Sequence, residues 1–171
     1  MRSSIVDTLP GWGRVRRDPS RYRQLSDDEL FAIVGELPQR PLLAGEKGVR
    51  LSLAGAQKKL PVFHDGGPFS LGYGSCPSNQ IIKPAIDNQD GSVENEAFCM
   101  TLARAVGLET PSCFIHQHDG VRVFVVERYD RVAAGEGTRR VHQEDFCQAL
   151  WIAPGSKYES EGGRHLPPAS T

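Results

Sequence analysis

The chain has 171 residues, a formal net charge of −1 and a hydrophobic fraction of 39%. That length suffices for one domain with a real core, and the near-neutral balance argues against direct nucleic-acid binding or an anionic membrane surface. No apolar run approaches the roughly 20 residues needed to span a bilayer, and residues 1–7 offer no apolar signal-peptide core, so a cytoplasmic setting is expected.

Eighteen Gly and twelve Pro point to a chain that is folded in the middle and loose at both ends. Residues 1–24, rich in Arg, Pro and Gly, read as a flexible arm. Ser26-Asp27-Asp28-Glu29 then forms a capping box ahead of an apolar stripe of Leu30, Phe31, Ile33, Val34 and Leu37. The spacing predicts a short helix over 27–36, ended by Pro38 and Pro41. A β-rich region follows. It has an alternating strand over 49–53, an Ala-Gly-Ala turn, a return strand over 59–64, the turn Asp65-Gly66-Gly67-Pro68 and a short strand over 69–73. Gln80-Ile81-Ile82-Lys83 predicts a buried strand and 84–92 a loop.

A helix is expected from Ser92 or Val93, with Phe98, Leu102, Ala105 and Val106 at helical spacing and Gly107 just past its end. Segments 114–117 and 121–128 predict a hairpin about Asp119-Gly120. Apolar residues on both faces of the second strand make it central. Residues 133–137 read as a flexible connector. Val141–Ile152 predicts a last helix with Gln143-Glu144-Asp145 in its first turn, where acids suit the helix dipole.

The four cysteines, Cys76, Cys99, Cys113 and Cys147, lie far apart and form no Cys-x-x-Cys pair, so no zinc site of that kind is expected. They read as small buried residues of a protein in a reducing compartment. His116 and His118 have the spacing to chelate a metal from one strand face, but they border the Asp119-Gly120 turn signal. The plainer reading is an exposed turn, and no metal ligand is assigned.

The densest chemistry lies in Leu51-Ser52-Leu53-Ala54-Gly55-Ala56-Gln57-Lys58-Lys59-Leu60. Small residues let a backbone approach a ligand closely, successive N–H groups can cradle phosphate oxygens, and the lysines add positive charge. Lys83 then ends a buried strand, Glu94 and Glu96 open a helix, and Val126-Glu127-Arg128-Tyr129-Asp130 closes the central strand. A loop, a strand lysine, a helix glutamate and a hinge-like strand, in that order, are the parts of a kinase nucleotide lobe. For Lys83 the competing role is a strand-end lysine reaching solvent. For Glu94 and Glu96 it is helix capping.

The wording and order of these motifs resemble the HipA family, the serine/threonine kinases of bacterial toxin–antitoxin systems. Ser-Leu-Ala-Gly-Ala-Gln-x-Lys at 52–59, Ile-Ile-Lys-Pro at 81–84, Asn-Glu at 95–96, Val-Glu-Arg-Tyr-Asp at 126–130, Gln-Glu-Asp at 143–145 and Lys-Tyr-Glu-Ser-Glu-Gly-Gly at 157–163 all fit. The resemblance implies an α+β fold: a HipA-like kinase small lobe over 25–163, mostly antiparallel sheet with packed helices, and an incomplete kinase. It implies ATP and Mg2+ as cofactors. Ala54, Gly55, Ala56 and Lys59 would surround the phosphates, and Lys83 would reach the α- and β-phosphates, held by Glu96 in preference to Glu94. Glu127 and Tyr129 would offer backbone groups to the adenine edge. Ser52 matches the family's regulatory autophosphorylation site. A HipB-like antitoxin is the implied partner. An aminoacyl-tRNA synthetase is the protein substrate of the best-known relatives.

The family's Asp-Gly-His-x-Lys-Asn catalytic segment and its later metal-binding Asp have no counterpart here. Asp65-Gly66, Asp90-Gly91 and Asp119-Gly120 lack the residues that should follow. The catalytic base and Mg2+ ligands are therefore expected to be absent, and Arg164–Thr171 reads as an unstructured tail such as a frameshift or premature stop would leave. The expectation is a truncated kinase, inactive alone. The alternatives are a split-gene nucleotide-binding or antitoxin-interacting module that works with a separate catalytic chain, and an unrelated α+β domain with a plain hairpin turn.

Overall fold

Ser26 starts the first helix as its sequence requires. In the computed structural model, which describes residues 15–16, 18–37, 57–74, 76–134, 137–144 and 146–152, helix α1 spans Asp27–Glu36 with Ser26 as its cap. The Glu29 N–H donates to Ser26 Oγ at 3.2 Å and the Ser26 N–H donates to Glu29 Oε2 at 3.0 Å, a complete capping box. That backbone donor holds the Glu29 carboxyl below its usual range. Ser26→Ala is expected to cost about 1 kcal/mol of stability. A urea-denaturation midpoint unchanged from the parent would contradict this.

The chain divides into two compact units, residues 1–140 and 141–171. In the first, strands β3 (Leu60–Val62), β5 (Gln80–Pro84), β7 (Val121–Glu127) and β6 (Cys113–His118) form an antiparallel sheet in the order β3-β5-β7-β6. Pro61 sits in β3, an edge strand among those described, where a missing N–H is tolerated. Strand periodicity sorts the residues by face. Leu60, Val62, Ile82, Val123 and Val125 join Leu30, Val34 and Leu37 of α1 in the core. Lys83, paired in register with Phe124, alternates to the opposite face. Helix α2 (Ser92–Ala105) packs on β6 and β7.

The turns follow the glycine and Asp-Gly signals. Gly107, at φ 89°, ends α2 in a Schellman arrangement: the Leu108 N–H donates to Ala103 O and the Gly107 N–H to Arg104 O, both at 3.0 Å. Asp119 and Gly120, at φ 46° and 78°, make the two-residue turn of the β6–β7 hairpin.

Four expectations need correction. Residues 15–24 are not an arm free of structure. β1 (Val15–Arg16) pairs with β9 (Gly137–Arg140), and β2 (Tyr22–Gln24) pairs with β4 (Ser70–Gly72). These partners are 46 residues or more away in sequence, beyond the reach of local periodicity. Of the expected connector, residues 133, 134 and 137 lie in paired strands, β8 (Arg131–Ala134) antiparallel to β9. The helix expected over 141–152 reduces to one turn, α3 (Phe146–Ala149), with Gln143 and Glu144 ahead of it. Trp151, at φ 57°, closes that turn, and Pro154 lies three residues on, where a helix cannot easily continue. The cysteines are not core residues: Cys99 is exposed, and Cys76, Cys113 and Cys147 are half-buried free thiols. Among the described residues no helix is long and apolar enough to cross a membrane.

Candidate nucleotide site

A lysine at the end of a strand reaches past its own sheet, and a neighbouring carboxylate decides where its ammonium rests. Lys83 leaves β5 on the face covered by α2, and its Nζ donates to Glu96 Oε1. Both side chains are half-buried, and the Lys83 ammonium lies 5.6 Å from the centroid of the buried Phe124 ring. Partial burial and the ring quadrupole both strengthen the hold on the cation. Glu94, the other carboxylate of the first turns of α2, is taken up differently: Arg122 Nη1 of β7 reaches its Oε1 at 2.8 Å. Two ion pairs thus tie α2 to the sheet, one to β5 and one to β7. The geometry selects Glu96 over Glu94 as the partner of Lys83.

Ser52, Ala54, Gly55 and Ala56 lie outside the described residues, as does the segment 157–163. Lys58, just after that loop, pairs with Asp87 beyond the end of β5. Lys59 is half-buried immediately before β3. The start of β3 and the end of β5 are neighbours in the sheet, since Leu60 pairs with Ile82, so the loop's C-terminal end comes to the Lys83 end of β5.

Glu127 ends β7, three pairs along from Phe124, the partner of Lys83. At about 3.3 Å per residue that separation is about 10 Å, comparable to the run of a nucleotide from its base to its first phosphates. Glu127 and Tyr129 line a concavity of about 410 Å3 together with Glu109, Thr110, Pro111, Arg128 and Arg131. The Glu127 N–H is already committed to Ser112 O at 2.8 Å, and the Arg128 N–H to Asn79 O at 2.9 Å. An adenine edge would therefore have to find its donor elsewhere in the linker. The Tyr129 side chain is exposed.

Sequence reasoning missed the residues that hold this linker. Arg128 and Asp130 are buried, and Arg128 Nε and Nη2 donate to the two oxygens of Asp130 at 2.9 and 2.8 Å, a bidentate pair. Arg131 Nη1 donates to the same carboxylate at 2.5 Å, and Arg128 Nη1 reaches Ser78 Oγ at 3.0 Å. Burial works to raise the Asp130 carboxyl. The hydrogen bonds and charges of Arg128 and Arg131 outweigh it and hold the group below its ordinary value. Burial, with the repulsion of Arg128 behind it, brings Arg131 down to about 10. The available signal was three charges in four residues straight after a central apolar strand, a placement that burial tolerates only when the charges are mutually paired.

The model of the HipA-like C-terminal domain family matches residues 51–167. The chain belongs to this family. It is 46% identical over 140 residues to the candidate kinase Y4mE of Sinorhizobium fredii, covering 81% of this chain and 33% of that protein. It is 29% identical over 146 residues to the serine/threonine-protein kinase toxin HipA of Shewanella oneidensis, covering 84% of this chain and 33% of the toxin. A solved structure of the Shewanella oneidensis toxin–antitoxin complex of HipA, HipB and operator DNA matches with a TM-score of 0.64 at 27% identity, over 95% of this chain and 36% of that one. The HipA-like chain thus spans about a third of the length of these relatives. Its fold is α+β with antiparallel sheets, as in that structure.

Proposed function

We propose that residues 1–171 form the ATP-binding lobe of a HipA-like serine/threonine kinase toxin and transfer no phosphate on their own. The pairing of Lys83 with Glu96 carries this reading. It fixes an ammonium on one face of the sheet, about a nucleotide's length from the linker at Glu127–Tyr129. In this reading Lys83 binds the α- and β-phosphates, and Glu96 keeps the ammonium pointed at them. Ala54, Gly55, Ala56 and Lys59 shape the phosphate loop, and Ser52 is the regulatory phosphorylation site. ATP supplies the phosphoryl group. With no Asp-Gly-His-x-Lys-Asn segment in 1–171, the acceptor has no aspartate to orient it. Electrostatic stabilisation by such groups supplies most of the catalysis in phosphoryl transfer. A cytoplasmic setting belongs to the same reading.

Two measurements test this. Titration calorimetry with ATP and Mg2+ is expected to show no binding at micromolar affinity. Incubation with labelled ATP, followed by mass spectrometry of Ser52, is expected to show no phosphate. Phosphate on Ser52 in the parent chain but not in Lys83→Ala would overturn the claim of inactivity.

One observation favours a second reading, a module that works with a separate catalytic chain or a HipB-like antitoxin. Phe98 and Leu102 of α2 and Val106 at its C-cap recur every four residues and are 65%, 50% and 68% exposed. An apolar stripe of this kind marks a contact surface for another polypeptide. The HipA relative was solved in complex with HipB and operator DNA. Micromolar ATP binding, or restored transfer when a separate catalytic chain is added, would favour this module.

A further inference from the structure

Two aspartates and two histidines meet on the face of the sheet opposite Lys83. Asp27 and Asp28 stand side by side in the first turn of α1, and His116 and His118 alternate onto one face of the edge strand β6. His116 Nε2 lies 2.9 Å from Asp27 Oδ1, and His118 Nε2 lies 2.6 Å from Asp28 Oδ1, across 89 and 90 residues of sequence. Phe31, one helical turn on, packs against both imidazoles with centroids 5.6 and 5.5 Å away. The left-handed conformation of Asp119 brings a third carboxylate in, with its Oδ2 3.7 Å from His118 Nε2. One ligand atom each from Asp28, His118 and Asp119 falls within 4.8 Å of the others.

We propose that Asp28, His118 and Asp119, flanked by His116 and Asp27, bind a first-row divalent transition-metal ion of the zinc class and that the ion pins α1 to β6. The donor set decides the metal class. Imidazole nitrogen mixed with carboxylate oxygen suits zinc, cobalt or nickel, whereas Mg2+ and Ca2+ take oxygen alone. The spacing agrees. Ligand atoms at zinc-bond length in a tetrahedron stand about 3.3 Å apart, and the observed 2.6 and 3.7 Å bracket that value. The ion would replace the proton between His118 and Asp28. Water would fill the remaining position, while His116 and Asp27 hold each other at 2.9 Å alongside. Histidines two apart on a strand were visible in the sequence. The aspartates that complete the set arrive only through the packing of α1 against β6.

The test uses the full chain, without a histidine tag and stripped by a chelator, and Zn2+ and Co2+ alone as probes. Calorimetry is expected to show one saturable Zn2+ site, and Zn2+ to raise the melting temperature. Co2+ should give the visible absorption of a low-coordinate nitrogen–oxygen site. His118→Ala and Asp28→Asn are each expected to weaken Zn2+ binding by at least about tenfold. Asp28→Asn keeps an acceptor for His118, which separates ligation from folding. His142→Ala should leave binding unchanged. The proposal is overturned by the absence of saturable binding up to millimolar Zn2+, by equal affinity in Asp28→Asn, or by a thiolate charge-transfer band showing that the cysteines hold the ion. All these readouts are independent of nucleotide binding, so the site stands or falls separately from the kinase reading.

Discussion

Asp130→Ala is expected to destabilise the chain by about 3–5 kcal/mol, with Arg128→Ala costing less. Breaking a buried ion pair leaves an uncompensated charge, and the cost is that of the orphaned group. Asp130 serves two guanidinium groups, so its loss strands both Arg128 and Arg131, each with a side chain at most 10% exposed. Arg131 Nε already lacks a hydrogen-bond partner. Removing Arg128 instead leaves the carboxylate paired with Arg131. Acid should reproduce part of the effect. The folded carboxyl of Asp130 titrates below its ordinary value of 3.8, so the stability that it contributes is fully present above that pH. That contribution is lost as pH falls through the lower folded value. Urea denaturation at neutral pH, followed by acid titration of the parent and Asp130→Asn, checks both parts. A loss under about 1 kcal/mol in Asp130→Ala would mean that the pairing is incidental.

Phe124→Ala is the second large effect, an expected loss of about 3–5 kcal/mol from the deleted apolar volume and the cavity left behind. Phe124 is 1% exposed and lies in a central strand held by β5 and β6 on either side, which limits how far the site can collapse. The substitution also removes the ring beneath the Lys83 ammonium. Phe124→Leu keeps most of the volume and none of the π face, so it should retain most of the stability. Urea midpoints for the two variants separate packing from the cation–ring contact. Equal losses in both would assign the whole effect to the ring.

These two residues show where sequence reasoning reached and where it stopped. Phe124 was legible as part of a central strand because Val121–Val126 is apolar on both faces, and only a buried strand tolerates that. Lys83, Glu94 and Glu96 were legible as candidates from their positions at a strand end and a helix start. The family resemblance already preferred Glu96, and the structure pairs Lys83 with Glu96 and Glu94 with Arg122. Arg128 and Asp130 stood inside the motif that drew attention to Glu127 and Tyr129. Their role depends on burial, which one sequence does not reveal.

The sequence by itself determined the local features: the capping box at Ser26, the glycine that ends α2, the Asp-Gly hairpin turn, the buried character of β5 and β7, and the family to which they belong. Each rests on interactions within about six residues, where spacing and side-chain chemistry suffice. Tertiary structure decided the pairing of Val15–Arg16 with Gly137–Thr138, the pairing of Tyr22–Gln24 with Ser70–Gly72, the contact of Lys83 with Glu96, the buried network under the linker, and the meeting of Asp27 and Asp28 with His116 and His118. Except within that network, these join residues from 13 to more than 100 positions apart. Such contacts form only when the surrounding core offsets the entropy of closing long loops, so no local pattern records them.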